Sequence, residues 1–210
     1  MTMDKKRNKV NWKRRFGILL TVNIVVLFFL AIYIYSPIPE VEIKQSSEQY
    51  KKEHSSEFIV RTTKQNVNNL VNAYLDKLLD STTHEFSIHL DDDVQLFGEL
   101  PIFSSTVPLL IHFEPIVQDN GDLVLKQKSI SVGQMKLPNK KIMQYVSQYL
   151  PVPDWVIINP KEEEIYVQVT EMDIKSNFHV AVHQFDLEAN NISFQIEVPY
   201  KTLGIEQENE

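Results

Sequence analysis

Twenty consecutive residues, Phe16 to Tyr35, carry no charge, and they follow directly on a basic tail. A helix of that length spans roughly 30 Å, the hydrocarbon thickness of a bilayer. Fourteen of the twenty are Leu, Ile, Val or Phe. Their insertion is favourable by about 4 to 8 kcal/mol before the cost of Gly17, Thr21, Asn23, Ala31 and the two tyrosines. Asn23 is the one polar defect, too mild to reverse that balance. Residues 16–35 are therefore expected to form a transmembrane helix, with the lipid bilayer as their partner.

The flanks set the expected orientation. Residues 1–15 hold Lys5, Lys6, Arg7, Lys9, Lys13, Arg14 and Arg15 against the single acid Asp4, whereas no base follows Tyr35 until Lys44. Basic flanks stay on the cytoplasmic side. Residues 1–15 thus read as a cytoplasmic tail, and everything beyond Tyr35 as lying outside the plasma membrane. Trp12, Tyr33 and Tyr35 suit the interfacial aromatic belts. A cleaved signal peptide is the competing reading. Its apolar core is usually shorter and ends in a small-x-small site, whereas this block runs into Ile32-Tyr33-Ile34-Tyr35-Ser36-Pro37. A lipoprotein is excluded, because the chain has no cysteine to acylate.

Beyond Arg15 stand 14 bases and 27 acids, a charge of −13. That balance argues against nucleic acid as a partner, since phosphate recognition needs clustered bases. Without cysteine the chain has neither disulfides nor thiol chemistry.

Residues 36–56 open with Ser36-Pro37-Ile38-Pro39, which cannot continue a helix. They remain polar and aperiodic, and read as a stalk. Residues 57–202 read as the extracytoplasmic domain, and 203–210 as an acidic tail. Within the domain, Val67, Leu70, Val71, Tyr74, Leu75, Leu78 and Leu79 recur at helical spacing behind a cap at Thr62 or Thr63. The face carrying Asn68, Asn69, Asn72, Asp76 and Lys77 reads as the polar, outward one. Phe86, Ile88 and Leu90, then Val94, Leu96 and Leu100, then Val107, Leu109, Ile111 and Phe113 alternate in strand fashion. Asp119-Asn120-Gly121-Asp122 predicts a type I′ hairpin into a strand carrying Leu123, Leu125, Ile130 and Val132, and Gly133 predicts a bulge. A second helix is expected from Pro138 to Leu150, stopped by Pro151 and Pro153. Strands at 165–169, 178–185 and 192–198 complete the series. The fold class is α+β: after the N-terminal transmembrane helix, a curved antiparallel sheet of about seven strands covered by two helices.

Little chemistry stands out. His84, His89, His112, His179 and His183 invite a metal reading, but no ligand motif joins them, and exposed strand histidines are expected. Asp91-Asp92-Asp93 lacks the spacing of a calcium loop and reads as a solvated turn. Glu162-Glu163-Glu164 reads as a charged lead-in to a strand. No nucleophile elbow or phosphate loop is present, so no catalytic residue, metal site or cofactor is assigned, and the domain is not expected to be an enzyme. The aromatic and apolar positions invite two readings. They either fill a solid core, or a curved sheet leaves an apolar groove for a lipid chain or hydrophobic peptide. The groove would be lined by Val71, Tyr74, Leu78, Phe113, Tyr145, Tyr149, Trp155 and Phe194.

The stretch Val107 to Pro138 (VPLLIHFEPIVQDNGDLVLKQKSISVGQMKLP), a short helix, and then Leu150-Pro151-Val152-Pro153-Asp154-Trp155-Val156 resemble the YpmS-like family. So do the basic tail, the apolar block and the N-L-V-N-A-Y-L of the first domain helix. The resemblance covers nearly the whole chain. It implies a single-pass membrane protein of Gram-positive bacteria with an extracytoplasmic domain and no established biochemical activity. Its landmarks are structural punctuation, and no catalytic residue carries over. The strand-rich, helix-backed pattern is also similar to tubular lipid-binding domains, at the level of fold alone. The expected function is non-enzymatic binding of a lipid or other hydrophobic envelope ligand. The alternatives are docking of another membrane or envelope protein and, after that, an envelope hydrolase.

Overall fold

The structure is a computed structural model that describes residues 12–36, 41, 55–80, 85–102, 105–172, 174 and 177–204. Most of the basic tail, most of the stalk, His84, Phe103 and the end of the acidic tail lie outside the described residues. The chain divides into two units, Met1–Pro37 and Ile38–Glu210.

The first unit is the helix α1, Trp12–Tyr35. From Trp12 to Tyr33 it is long and apolar enough to cross a membrane, and none of that span is buried by protein. The uncharged block therefore forms one uninterrupted helix. Thr21 satisfies its hydroxyl within it, donating to Gly17 O at 2.9 Å.

The second unit is α+β, and its described residues form nine strands in two antiparallel sheets. Strand β1 (Ser55–Thr62) is followed by α2 (Lys64–Leu79), by β2 (Phe86–Leu90), β3 (Val94–Ile102), β4 (Ser105–Val117) and β5 (Leu123–Val132), and by α3 (Asn139–Tyr149). Then come β6 (Val156–Asn159), β7 (Glu164–Val167), a 3-10 turn at Val169–Glu171, β8 (His179–Asp186) and β9 (Asn191–Pro199). The larger, curled sheet has the order β2-β3-β4-β5-β7-β6, and the smaller one β1-β9-β8. The sequence pattern shows seven of these strands. It misses β1, whose apolar residues are not alternating, and β6, whose Val156-Ile157-Ile158 run is too short to show a period.

Alternation in the central strands decides which way the large sheet faces. Val94, Leu96 and Leu100 of β3 and Leu109, Ile111 and Phe113 of β4 are buried, while Gln95, Phe97 and His112 lie on the other face. The buried face meets Ile142, Met143 and Val146 of α3 and Ile192 of β9 in one core. Leu109, Ile111, Phe113, Met143, Val146 and Ile192 are at most 1 % exposed, so the centre of the domain is packed with side chains. A smaller cluster of Leu123, Val169 and Val182 lies between the two sheets, and Phe185 and Phe194 pack against both clusters.

Gly98 makes one of these contacts possible. It stands opposite Phe86 in the β2–β3 ladder, and a Cβ added to it would lie 2.7 Å from two atoms of the Phe86 ring. The ring occupies the space a side chain would take.

Two turns differ from the sequence reading. In the β4–β5 hairpin Gly121 has φ +89°, but Asn120 is not at positive φ. Gly121 N–H donates to Gln118 O at 2.9 Å. The loop is therefore a turn followed by a left-handed glycine, not the paired positive φ angles of type I′. The bulge lies not at Gly133 but earlier in β5: Phe113 opposes Gln127 and His112 opposes Ser129, leaving Lys128 as the extra residue. Gly133, at φ +50°, ends the strand and donates to Pro108 O at 3.1 Å.

Candidate functional site

Helix α2 docks differently from its sequence pattern. Asn72 Nδ2 donates to Ile88 O at 2.6 Å, and Ile88 N–H donates to Asn72 Oδ1 at 2.9 Å. One turn earlier, Asn68 Oδ1 accepts from Leu90 N–H at 3.3 Å. The two asparagines thus serve as a surrogate strand along the outer edge of β2, satisfying backbone groups that an edge otherwise leaves open. This corrects the reading of Asn68 and Asn72 as outward-facing. Leu75 and Leu79 turn into the core beside them, and the other flank of the apolar stripe is left uncovered. Leu70 is 71 % exposed and Tyr74 43 %.

The eight candidate groove residues do not line one channel. Phe113 is sealed in the core, and Phe194 joins the two clusters. Val71 and Leu78 are half-buried on α2. Tyr74 reaches Trp155, in the loop before β6, with ring centroids 6.2 Å apart. Tyr145 and Tyr149 stack on each other at 4.6 Å on α3, where the Tyr145 hydroxyl donates to Glu99 O at 3.2 Å. Burial raises the Tyr145 pKa, and the neighbouring Tyr149 adds to the rise. The tertiary structure distributes the eight as two aromatic pairs, two half-buried residues on α2, the sealed Phe113 and the half-buried Phe194.

A cleft of about 550 Å³ lies between the end of α2 and strands β2 and β3. It is lined by Asp76, Leu79, Asp80, Glu85, Phe86, Ser87, Phe97, Gly98 and Glu99. Four of these nine are carboxylates, so its walls suit water and cations better than an acyl chain.

On the opposite face of the large sheet, Asp93 is turned inward from its triplet. His112 Nδ1 lies 3.0 Å from Asp93 Oδ2, Gln95 Nε2 donates to Oδ1 at 3.1 Å, and Lys128 Nζ approaches Oδ2 at 3.6 Å. The β5 bulge is what brings Lys128 there. Burial by itself raises the Asp93 pKa. The hydrogen bonds from His112 and Gln95, with the charges of His112 and Lys128, outweigh it and hold the carboxyl below its ordinary value of 3.8. Asp93 is thus an ion-paired brace, not the solvated turn residue its sequence context suggests; Asp91 and Asp92 are exposed as expected. His89 is exposed and sets its ring edge-on to Phe97 at 5.1 Å. Among the described residues, no three His, Cys, Asp or Glu side chains come together as a metal site.

A second acid is buried outright. Asp122, 2 % exposed, accepts from Asn120 Nδ2 at 2.8 Å, the Tyr166 hydroxyl at 3.2 Å, Thr170 N–H at 3.1 Å and Thr170 Oγ1 at 2.9 Å. Burial raises the Tyr166 pKa, the Asn120 contact offsets part of this, and the Asp122 carboxylate adds to the rise. The network ties the β4–β5 loop to β7 and the 3-10 turn. The same loop meets the small sheet, where Val182 N–H donates to Gly121 O at 2.7 Å. The sequence shows Asp122 only as a turn residue; its burial depends on β7 and Thr170 arriving from 44 and 48 positions away.

Strand β1 presents further uncovered apolar surface. Phe58, Ile59 and Val60 are 53 %, 51 % and 45 % exposed. Three adjacent apolar residues cannot share one face of a strand, so both faces of β1 present apolar side chains. A run of three in a polar stretch was the available signal.

The arrangement thus combines a filled core, braced acids and apolar surface on α2 and β1. The family described as "Uncharacterized protein conserved in bacteria (DUF2140)" matches residues 10–198. The chain belongs to this family. The match runs from before α1 to the end of β9, so the DUF2140 unit takes in the apolar helix as well as the α+β domain. "Uncharacterized protein YpmS" of Bacillus subtilis (strain 168) is 30 % identical over 183 residues, 87 % of this chain and 95 % of that one. The resemblance carried by the Phe-Glu-Pro, Asn-Gly and Ser-Val-Gly landmarks is therefore a family relationship. No solved structure matches the chain.

Proposed function

We propose that this DUF2140 protein is a membrane-anchored, extracytoplasmic, non-enzymatic module that docks another membrane or cell-envelope protein. The observation that carries this reading is the uncovered flank of α2. Leu70 and Tyr74 stay exposed, because Asn68 and Asn72 commit the helix to the edge of β2. Exposed apolar surface beside a well-packed interior is what a protein-docking surface requires. The anchor is α1, and the seven bases before its uncharged stretch Phe16–Tyr35 favour a cytoplasmic N-terminus.

Topology is tested by fusing alkaline phosphatase, and separately a cytosol-active reporter, after Glu210. Phosphatase activity with a silent cytosolic reporter is expected; the converse refutes the placement. Docking is tested by a photo-cross-linking amino acid at position 70 of the full-length chain in its native membrane. A discrete adduct with another protein, lost with Tyr74→Asp, is the expected outcome. Adducts with lipid alone refute it.

The second reading is a lipid ligand, favoured by the Tyr74–Trp155 pair, which presents aromatic surface beside Leu70 and half-buried Val71 and Leu78. It predicts a lipid that co-purifies with the domain and is lost on Trp155→Ala, read by mass spectrometry. The split of the candidate lining between core and surface weighs against it.

A further inference from the structure

The outer edge of β1 carries information about its partner. β1 pairs with β9 along one edge, and among the described residues no strand pairs with the other. Two observations fix which backbone groups face that open edge. Val182 N–H donates to Gly121 O, away from β9, so its ladder partner Phe194 turns its own N–H and C=O toward β1. Phe194 stands opposite Val60. Ser56, Phe58 and Val60 therefore bond to β9, and alternation leaves the N–H and C=O of Glu57, Ile59 and Arg61 facing outward. Pro199, which has no N–H to give, stands opposite Ser55 in keeping with this phase.

We propose that this edge is a self-recognition strand: a second copy of the chain adds its own β1 antiparallel to the first, centred on Ile59. The two small sheets then join into one of six strands. A two-fold antiparallel pairing sets one residue opposite its own copy. Centred on the inward-facing Phe58 or Val60 it still forms hydrogen-bonded pairs, but it sets Glu57 or Arg61 opposite Ile59 with no countercharge. Centred on Ile59, it places Glu57 opposite Arg61 of the second copy, and Arg61 opposite Glu57. Ile59 faces its own copy on the same side, and Phe58 faces Val60 on the other. Centred on Glu57 or Arg61 instead, it would oppose like charges and shorten the ladder, both unfavourable. Edge charges that usually prevent strand pairing here complement themselves in one register only. The exposed Phe58, Ile59 and Val60 are then the side chains such a ladder covers.

An eight-residue strand pair is smaller than an ordinary stable interface. Confinement of both copies to one bilayer raises their effective concentration. The pairing is therefore expected to strengthen in membranes, without depending on them at high concentration.

The absence of native cysteine gives the test a clean background. Full-length Ile59→Cys, Glu57→Cys and Arg61→Cys variants are treated with a short bis-maleimide, both in phosphatidylcholine vesicles and at high concentration in detergent. I59C should cross-link to a dimer. E57C and R61C alone should each give severalfold less, because four strand positions offset each from its copy by about 13 Å. Mixing E57C with R61C should restore the product. Adding E57R or R61E to I59C should cut the yield about tenfold, and the double swap should recover it. No I59C product, equal yields at all three positions, no rescue by the double swap, or cross-linking only to a different protein overturns the proposal. Flotation of the vesicles reads the anchor separately, so a chain that cross-links without floating upholds the pairing and refutes the anchor.

Discussion

The side-chain amide of Asn72 makes a two-way bond with the backbone of Ile88: Nδ2 donates to the carbonyl at 2.6 Å and Oδ1 accepts the N–H at 2.9 Å. A helix side chain thereby does what a neighbouring strand would do, and this contact decides which face of α2 stays exposed. Asn72→Ala leaves both groups of Ile88 without their partner. It is expected to cost about 1–3 kcal/mol in urea unfolding and to speed hydrogen exchange at the Ile88 amide more than at amides of β4. Unchanged exchange at Ile88 would show that the edge is held by other contacts.

Asp122 is the acceptor for four donors from three parts of the chain. Asp122→Ala strands those donors in the interior and is expected to destabilise the domain by at least about 2–4 kcal/mol. Asp122→Asn retains one acceptor oxygen and should cost less. Because the same loop accepts from Val182, exchange at the Val182 amide should accelerate in D122A. A stable D122A domain with protected Val182 would refute the bracing role.

Asp93 gives the domain an acid-sensitive brace. Its folded pKa is lowered from 3.8, so the carboxylate contributes stability that is present above 3.8 and lost as pH falls through the lower folded value. Asp93→Asn should be less stable than the wild type at pH 7, and the two urea midpoints should converge as the pH drops below 3.8. A gap that stays constant down to the lowest pH at which the wild type folds would rule out an ionic origin.

Gly98 and Phe86 form a size-matched pair, with a Cβ at position 98 falling 2.7 Å from the ring. Gly98→Ala forces the ring to move and should cost about 1–3 kcal/mol. In a Phe86→Leu background the added penalty should shrink to well under half. A double-mutant cycle read by chemical denaturation measures this coupling, and strict additivity would place the cost of G98A elsewhere.

Periodicity carried most of the domain. The alternation of Val107, Leu109, Ile111 and Phe113 marks β4 and its buried face, and the spacing of Ile142 and Val146 marks α3, because period and burial coincide wherever an element covers the core. The same logic misled on α2. Asn68 and Asn72 are polar and so count as outward, yet they hydrogen-bond to the backbone of Ile88 and Leu90, since a backbone edge needs polar partners. Phe113 and Phe194 carried the same apolar label as Tyr74 and Tyr149, and nothing local distinguishes a core aromatic from a surface one.

The sequence by itself determined an uncharged helix long enough for a bilayer, a basic flank before it, an acidic α+β domain after it, and the family to which the chain belongs. Those properties are local: run length, charge and period are complete within a few tens of residues. Only the tertiary structure decided that Asp122 is buried, that Asp93 meets His112 and Lys128, that α2 closes one sheet edge and that, among the described residues, β1 leaves another open. Each of these depends on which strands lie side by side. That choice is made by long-range packing of the whole core, which no short window of sequence contains.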